Sequence, residues 1–178
     1  MNPTANANLF SRLFDHLDDP NRLAIEEPDG TRISYADLIA RAGQMANVLV
    51  ARGVKVGDRV AAQTEKSVPA LVLYLATVRA GAIYLPLNTA YTLNELEYFI
   101  TDAEPSLVVC DPAKAEGIAR IAAKVGARVE TLGADGEGSL TEAAALQGML
   151  HEYDRERQPV FPPVRSPRRS QSDCDRRA

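Results

Sequence analysis

Hydrophobic positions along this chain follow two rhythms in turn. Tyr35, Leu38, Ile39, Ala42, Met45, Ala46 and Leu49 recur with the 3.6-residue period of a half-buried helix. Ser34, with Asp37 three residues on, supplies the hydroxyl-then-acid pair that satisfies orphan amides at a helix start, and Gly53 marks the exit. Thr92 with Glu95 repeats that signal ahead of Leu93, Leu96, Phe99 and Ile100, and Pro105 closes the segment from outside. A further helix is expected over Ser67 to Arg79, where Leu71, Val72, Leu75 and Val78 keep helical spacing before Gly81. Asp111 before Pro112 predicts another start, leading into a helix over Ala113 to Lys124, and Ser139 with Glu142 reads as one more capping box.

Between these helices lie short, continuous apolar runs: Arg59 to Ala62, Ile83 to Leu85, Leu107 to Cys110 and Arg128 to Leu132. Unbroken apolar character belongs to strands covered on both faces, and strand-helix alternation implies crossovers in a mainly parallel sheet flanked by helices. The fold class is therefore α/β. Near the start, Leu23 to Glu27 and Thr31 to Ser34 flank Pro28-Asp29-Gly30, which predicts a small hairpin ahead of the first long helix.

Composition divides the chain at residue 147. Residues 148–178 hold seven arginines, no lysine, four prolines and five acids, for a net charge of +2. The preceding residues carry 13 bases against 19 acids, a net charge of −6. A segment so poor in aliphatic residues cannot bury enough apolar area to offset its ordering entropy, so a disordered tail is expected. Its arginines could displace counterions from a nucleic acid, but the interspersed Glu152, Asp154, Glu156, Asp173 and Asp175 and the acidic body argue against that partner. No run approaches the roughly 18 apolar residues of a membrane span. The polar first residues do not read as a secretion signal, so a cytoplasmic location is the expectation.

Candidate chemistry is sparse. Gly133-Ala134-Asp135-Gly136-Glu137-Gly138 has the look of a phosphate cradle, but Asp135 and Glu137 would oppose an anion and no lysine follows. A solvated turn is the better reading. His16 and His151 have no cluster of acids or thiols around them in sequence, so neither supports a metal or triad site. Cys110 and Cys174 lack disulfide or metal-ligand spacing, and Cys110 suits a structural role in a strand. Tyr35, Tyr84 and Tyr91 could line a pocket, although packing at element ends is the commoner use of tyrosine. No catalytic, cofactor-binding or metal-ligating residue is assigned.

The order of short motifs carries more information than any one of them. Ile33-Ser34-Tyr35-Ala36-Asp37-Leu38 comes first, followed by Gly53-Val54-Lys55-Val56-Gly57-Asp58-Arg59-Val60. Arg79-Ala80-Gly81-Ala82-Ile83-Tyr84-Leu85-Pro86-Leu87-Asn88 comes next, and then Tyr91-Thr92 through Glu95-Leu96 and Asp102-Ala103-Glu104-Pro105. In this series the chain resembles the acyl-adenylate-forming enzymes, from about Leu9 to Leu146 the malonyl-CoA synthetases among the acyl-CoA synthetases in particular, which implies that residues 1–147 are part of the large N-terminal domain of such an enzyme. The resemblance implies a carboxylate attacking the α-phosphate of ATP, then capture of the acyl-adenylate by the thiol of coenzyme A, with magnesium assisting. It also implies that the phosphate loop with its lysine, the adenine and ribose contacts and the lysine of the lid domain lie beyond the matched stretch. The expectation is thus a truncated or frame-changed synthetase, inactive alone and needing no cofactor itself. A half-enzyme paired with a complementary synthetase fragment, a non-enzymatic interaction module and a small-ligand binder at the strand ends stay open beside it. A region that leans on missing layers is also expected to expose apolar surface.

Overall fold

The computed structural model describes residues 8–150, without the side chains of 148–150. Residues 148–150 continue α6 where a disordered tail is expected, and 151–178, with His151 and Cys174, lie outside the described residues. In chain order the elements are α1 (Leu9–Phe14), β1 (Leu23–Glu26), β2 (Arg32–Ser34), α2 (Tyr35–Ala51), β3 (Arg59–Gln63), α3 (Val68–Arg79) and β4 (Ile83–Pro86). They continue with α4 (Leu93–Ala103), β5 (Leu107–Cys110), α5 (Ala115–Ala122), β6 (Arg128–Thr131) and α6 (Ser139–Leu150). This is the α/β class that the alternation of periods predicts.

β1 and β2 pair antiparallel as the expected hairpin. The other four strands form one parallel sheet in the order β4-β3-β5-β6. Central β3 pairs with β4 from Arg59↔Ile83 to Ala62↔Pro86, and with β5 from Val60↔Leu107 to Gln63↔Cys110. Because side chains alternate across a strand, Val60 and Ala62 meet Leu107 and Val109 on one face, while Ala61 meets Val108 and Cys110 on the other. The first face is covered by α2, α3 and α6, through residues such as Leu49, Leu73 and Leu140, and the second by α4 and α5, through Leu96, Ile100 and Ile118.

Local chemistry explains where the helices begin. Ser34 and Thr92 each accept from the N3 amide while Asp37 and Glu95 reach back to the N-cap amide, so both predicted capping boxes form. Those hydrogen bonds from Ser34 and Thr92 hold the carboxyls of Asp37 and Glu95 below the usual range. The helix expected over Ala113 to Lys124 is instead a central α-helical stretch between two 3-10 turns, Pro112–Lys114 and Ala123–Val125. Asp111 still caps it by accepting from the Ala113 amide, and Gly126 at φ 71° ends it.

The expectation of strands covered on both faces holds for β5, all four of whose residues are buried. It fails for the edge strand β4, where Ile83 is 49% exposed. No helix among the described residues is long and apolar enough to cross a membrane.

Candidate functional site

The direction of the crossovers places the most usable concavity. β3 leads through α3 to β4 on one side, whereas β5 leads through α5 to β6 on the other, so chain connections diverge between β3 and β5. In open α/β sheets, ligands enter the crevice at the carboxyl ends of the strands at such a switch point. Here the last residues of the diverging strands, Gln63 and Cys110, face each other in register.

Two grooves open along this edge. One, of about 700 Å³, runs beside the ends of β3 and β4 and is lined by Thr64, Lys66, Tyr84, Asn88 and Thr89 among others. The second, of about 480 Å³, lies between the starts of α4 and α5, with Tyr91, Leu93, Lys114 and Arg120 in its walls. Gly117 lets these helices approach, because a Cβ there would lie 3.0 Å from a Leu93 methyl. Arg120 is engaged by Glu116 one turn earlier on α5. The loop Asn88–Tyr91 separates the grooves. It is held by the side-chain amide of buried Gln63, which donates to Asn88 O at 2.8 Å, and by Lys114 Nζ, which donates to Thr89 O at 2.7 Å. Gln63 Oε1 is buried and has no hydrogen-bond partner among the described residues, a cost of about 1–3 kcal/mol for an orphaned acceptor.

The glycine-rich stretch 133–138 forms a closed turn. Gly133 N donates to Glu137 O, Gly136 N donates to Gly133 O, and the Glu137 carboxylate lies against the Gly133 Cα, where a phosphate cradle would need open amides. The capping box read for Ser139 and Glu142 is corrected here. Ser139 Oγ accepts from Thr131 N and donates to Glu130, Ser139 N donates to Thr131 Oγ1, and the Glu142 amide bonds to Gly138 O. Glu130, only 8% exposed, also pairs with Arg52 at the end of α2, so one carboxylate ties β6 to two helices.

The remaining candidates fall where packing would put them. His16 is exposed, and no group of three potential metal ligands occurs among the described residues. Cys110 is fully buried, and burial together with nearby Asp111 pushes its thiol up to about 11, so it is unsuited to nucleophilic work. Tyr35 packs against Phe14, Tyr84 against Tyr74 edge-on at 5.3 Å, and Tyr91 stacks on Phe99 at 4.9 Å. Tyr84 and Tyr91 thus serve the core while also lining the grooves. Sequence reasoning missed Gln63 and Lys114, because neither carries a local motif and both act on a loop 25 residues away.

This arrangement recurs in known proteins. The structure matches MatB from Rhodopseudomonas palustris at a TM-score of 0.78 and 78% identity, covering 79% of this chain and 28% of that one. It matches an acyl-CoA synthetase from Brucella canis at a TM-score of 0.69 and 27% identity, over 82% of this chain and 28% of the other. A feruloyl-CoA synthase from an Amycolatopsis species is 37% identical over 94 residues, which is 53% of this chain and 19% of that protein. The chain thus spans less than a third of the length of each of these relatives. Residues 16–171 match the AMP-binding enzyme family, a span that reaches past residue 147, and the chain belongs to that family.

Proposed function

We propose that the chain is the sheet-and-helix scaffold at the start of an acyl-CoA synthetase of the malonyl-CoA synthetase type, and that the 178-residue polypeptide does not activate a carboxylic acid unaided. The observation that carries the assignment is the 78% identity with MatB over 79% of the chain. The family uses ATP and coenzyme A, and MatB from Rhodopseudomonas palustris has been solved with ATP bound. In the complete reaction the acid's carboxylate attacks the α-phosphate and pyrophosphate leaves. The thiolate of coenzyme A then attacks the acyl carbon and AMP departs. Both steps depend on cations and oriented amides around the phosphates. Among the described residues the glycine-rich turn that might supply such amides is closed by its own Glu137.

A second reading, a half-enzyme that pairs with a complementary synthetase fragment, is favoured by the apolar side chains left in solvent. Ile83 on the sheet edge is 49% exposed and Tyr98 on α4 is 67% exposed. Malonate-dependent pyrophosphate release separates the readings. The purified chain should release none, and activity regained on mixing with the remaining part of a MatB-type synthetase would establish the half-enzyme. Release by the chain alone would overturn the proposal of inactivity.

A further inference from the structure

Two side chains, one closing β3 and one in the turn after β5, hydrogen-bond to the same loop. From β3, Gln63 Nε2 donates to Asn88 O at 2.8 Å and lies 3.5 Å from both Thr89 O and Tyr91 O. From the turn after β5, Lys114 Nζ donates to Thr89 O at 2.7 Å. The three carbonyls admit only a donor, so the Gln63 amide is oriented with its NH2 toward the loop. Its Oε1 is left buried without a partner among the described residues. A leucine would fill a similar volume with no orphaned oxygen, but it would leave the carbonyls facing an apolar group. The amide therefore serves the loop at the expense of the core.

That loop is the wall between the two grooves: Asn88 and Thr89 line the larger one, Tyr91 and Lys114 the smaller. We propose that Gln63 and Lys114 are positioning residues that lock the Asn88–Tyr91 ridge, so that both grooves have a fixed shared wall before any ligand enters. A preorganised wall spares the ordering cost that a loose loop would impose on binding. The proposal concerns the ligand-free chain, so it stands or falls separately from the synthetase assignment.

The ridge has its own reporters, because Ala90 N donates to Asn88 Oδ1 and Tyr91 N donates to Asn88 O. Hydrogen exchange at these amides, measured on the full chain without ligand, tests the lock. K114M keeps the aliphatic stem and removes the donor, while Q63E keeps the shape and turns the donating nitrogen into an acceptor. Each should speed exchange at Ala90 and Tyr91 by about tenfold or more, while the β5 amides stay protected. K114R restores a donor and should restore slow exchange. Lys114 is half-exposed, so if Q63E also loses β5 protection, the Lys114 pair decides alone. Unchanged ridge exchange in K114M, or K114R as labile as K114M, would overturn the proposal.

Discussion

On one face of the parallel sheet, α1, α2, α3 and α6 bury 21 residues in a continuous cluster that also takes in the hairpin residue Ile33. On the other face, α4 and α5 gather nine, and Ile83 at the edge is left half in solvent. The thick face is also cross-linked by polar groups. Arg79 donates to Ile39 O at 3.0 Å and lies over the Phe10 ring, and a Cβ on Gly43 would stand only 3.0 Å from its guanidinium. The thin face has an apolar centre of Ala61, Val108 and Cys110, and its polar links lie at the rim, in the Glu97–Lys124 pair and the Gln63 and Lys114 donors to the Asn88–Tyr91 loop. Each face meets the same strands, so the difference in depth comes from the helices that cover them and not from the sheet.

The largest effects should come from cutting each layer at its centre. Leu49 and Ile100 are both fully buried. Leu49→Ala should cost about 4 kcal/mol in urea unfolding and Ile100→Ala about 3 kcal/mol, both within the range for large-to-small core changes. An equal or greater loss at Ile100 would show that the thin layer is as tightly integrated as the thick one. Next comes Glu130→Ala, which removes the shared partner of Arg52 and Ser139 and should cost about 1–3 kcal/mol. Its mark would be a detached α6, seen as faster exchange over residues 139–147 than over α3.

Alkaline pH offers a smaller probe of the thin face. Burial raises the Cys110 thiol from 9.0 to about 11. Since the folded state favours the neutral thiol, its contribution is fully present below pH 9 and declines as pH rises toward 11. Cys110→Ala should flatten that part of the stability profile, and an unchanged slope between the two chains would remove the thiol from the account. The smallest effect on stability belongs to Ile83→Thr at the edge, expected within about 0.5 kcal/mol of the parent because the side chain is half exposed. Binding of a hydrophobic dye should fall all the same, and undiminished binding would place the sticky surface elsewhere.

How far the sequence reveals this molecule depends on the reach of each interaction. The capping boxes at Ser34 and Thr92 are legible because donor and acceptor lie three residues apart. The Ser139 reading fails for the complementary reason. Thr131, eight residues back and at the end of β6, takes the hydroxyl that a local pattern assigns to Glu142. The expected single helix after Pro112 is interrupted by 3-10 turns, a hydrogen-bond shift that apolar periodicity does not register. At the site, Tyr84 and Tyr91 stand out as aromatics, whereas Gln63 is one polar residue closing a strand, and its meaning depends on a loop 25 residues later. Arg79 is legible as part of a family motif, but the carbonyl it reaches lies 40 residues earlier.

The strand order also bears on how the chain is made. β3 is synthesised first of the four parallel strands yet sits inside the sheet, between β4 and β5. As it leaves the ribosome it has no neighbour on either side until Ile83–Pro86 and then Leu107–Cys110 have followed. A nascent chain ending short of Cys110 therefore displays an open, apolar strand edge, the kind of surface chaperones bind. Stalling within that window should favour aggregation over folding, and release from the chaperone should coincide with the arrival of β5.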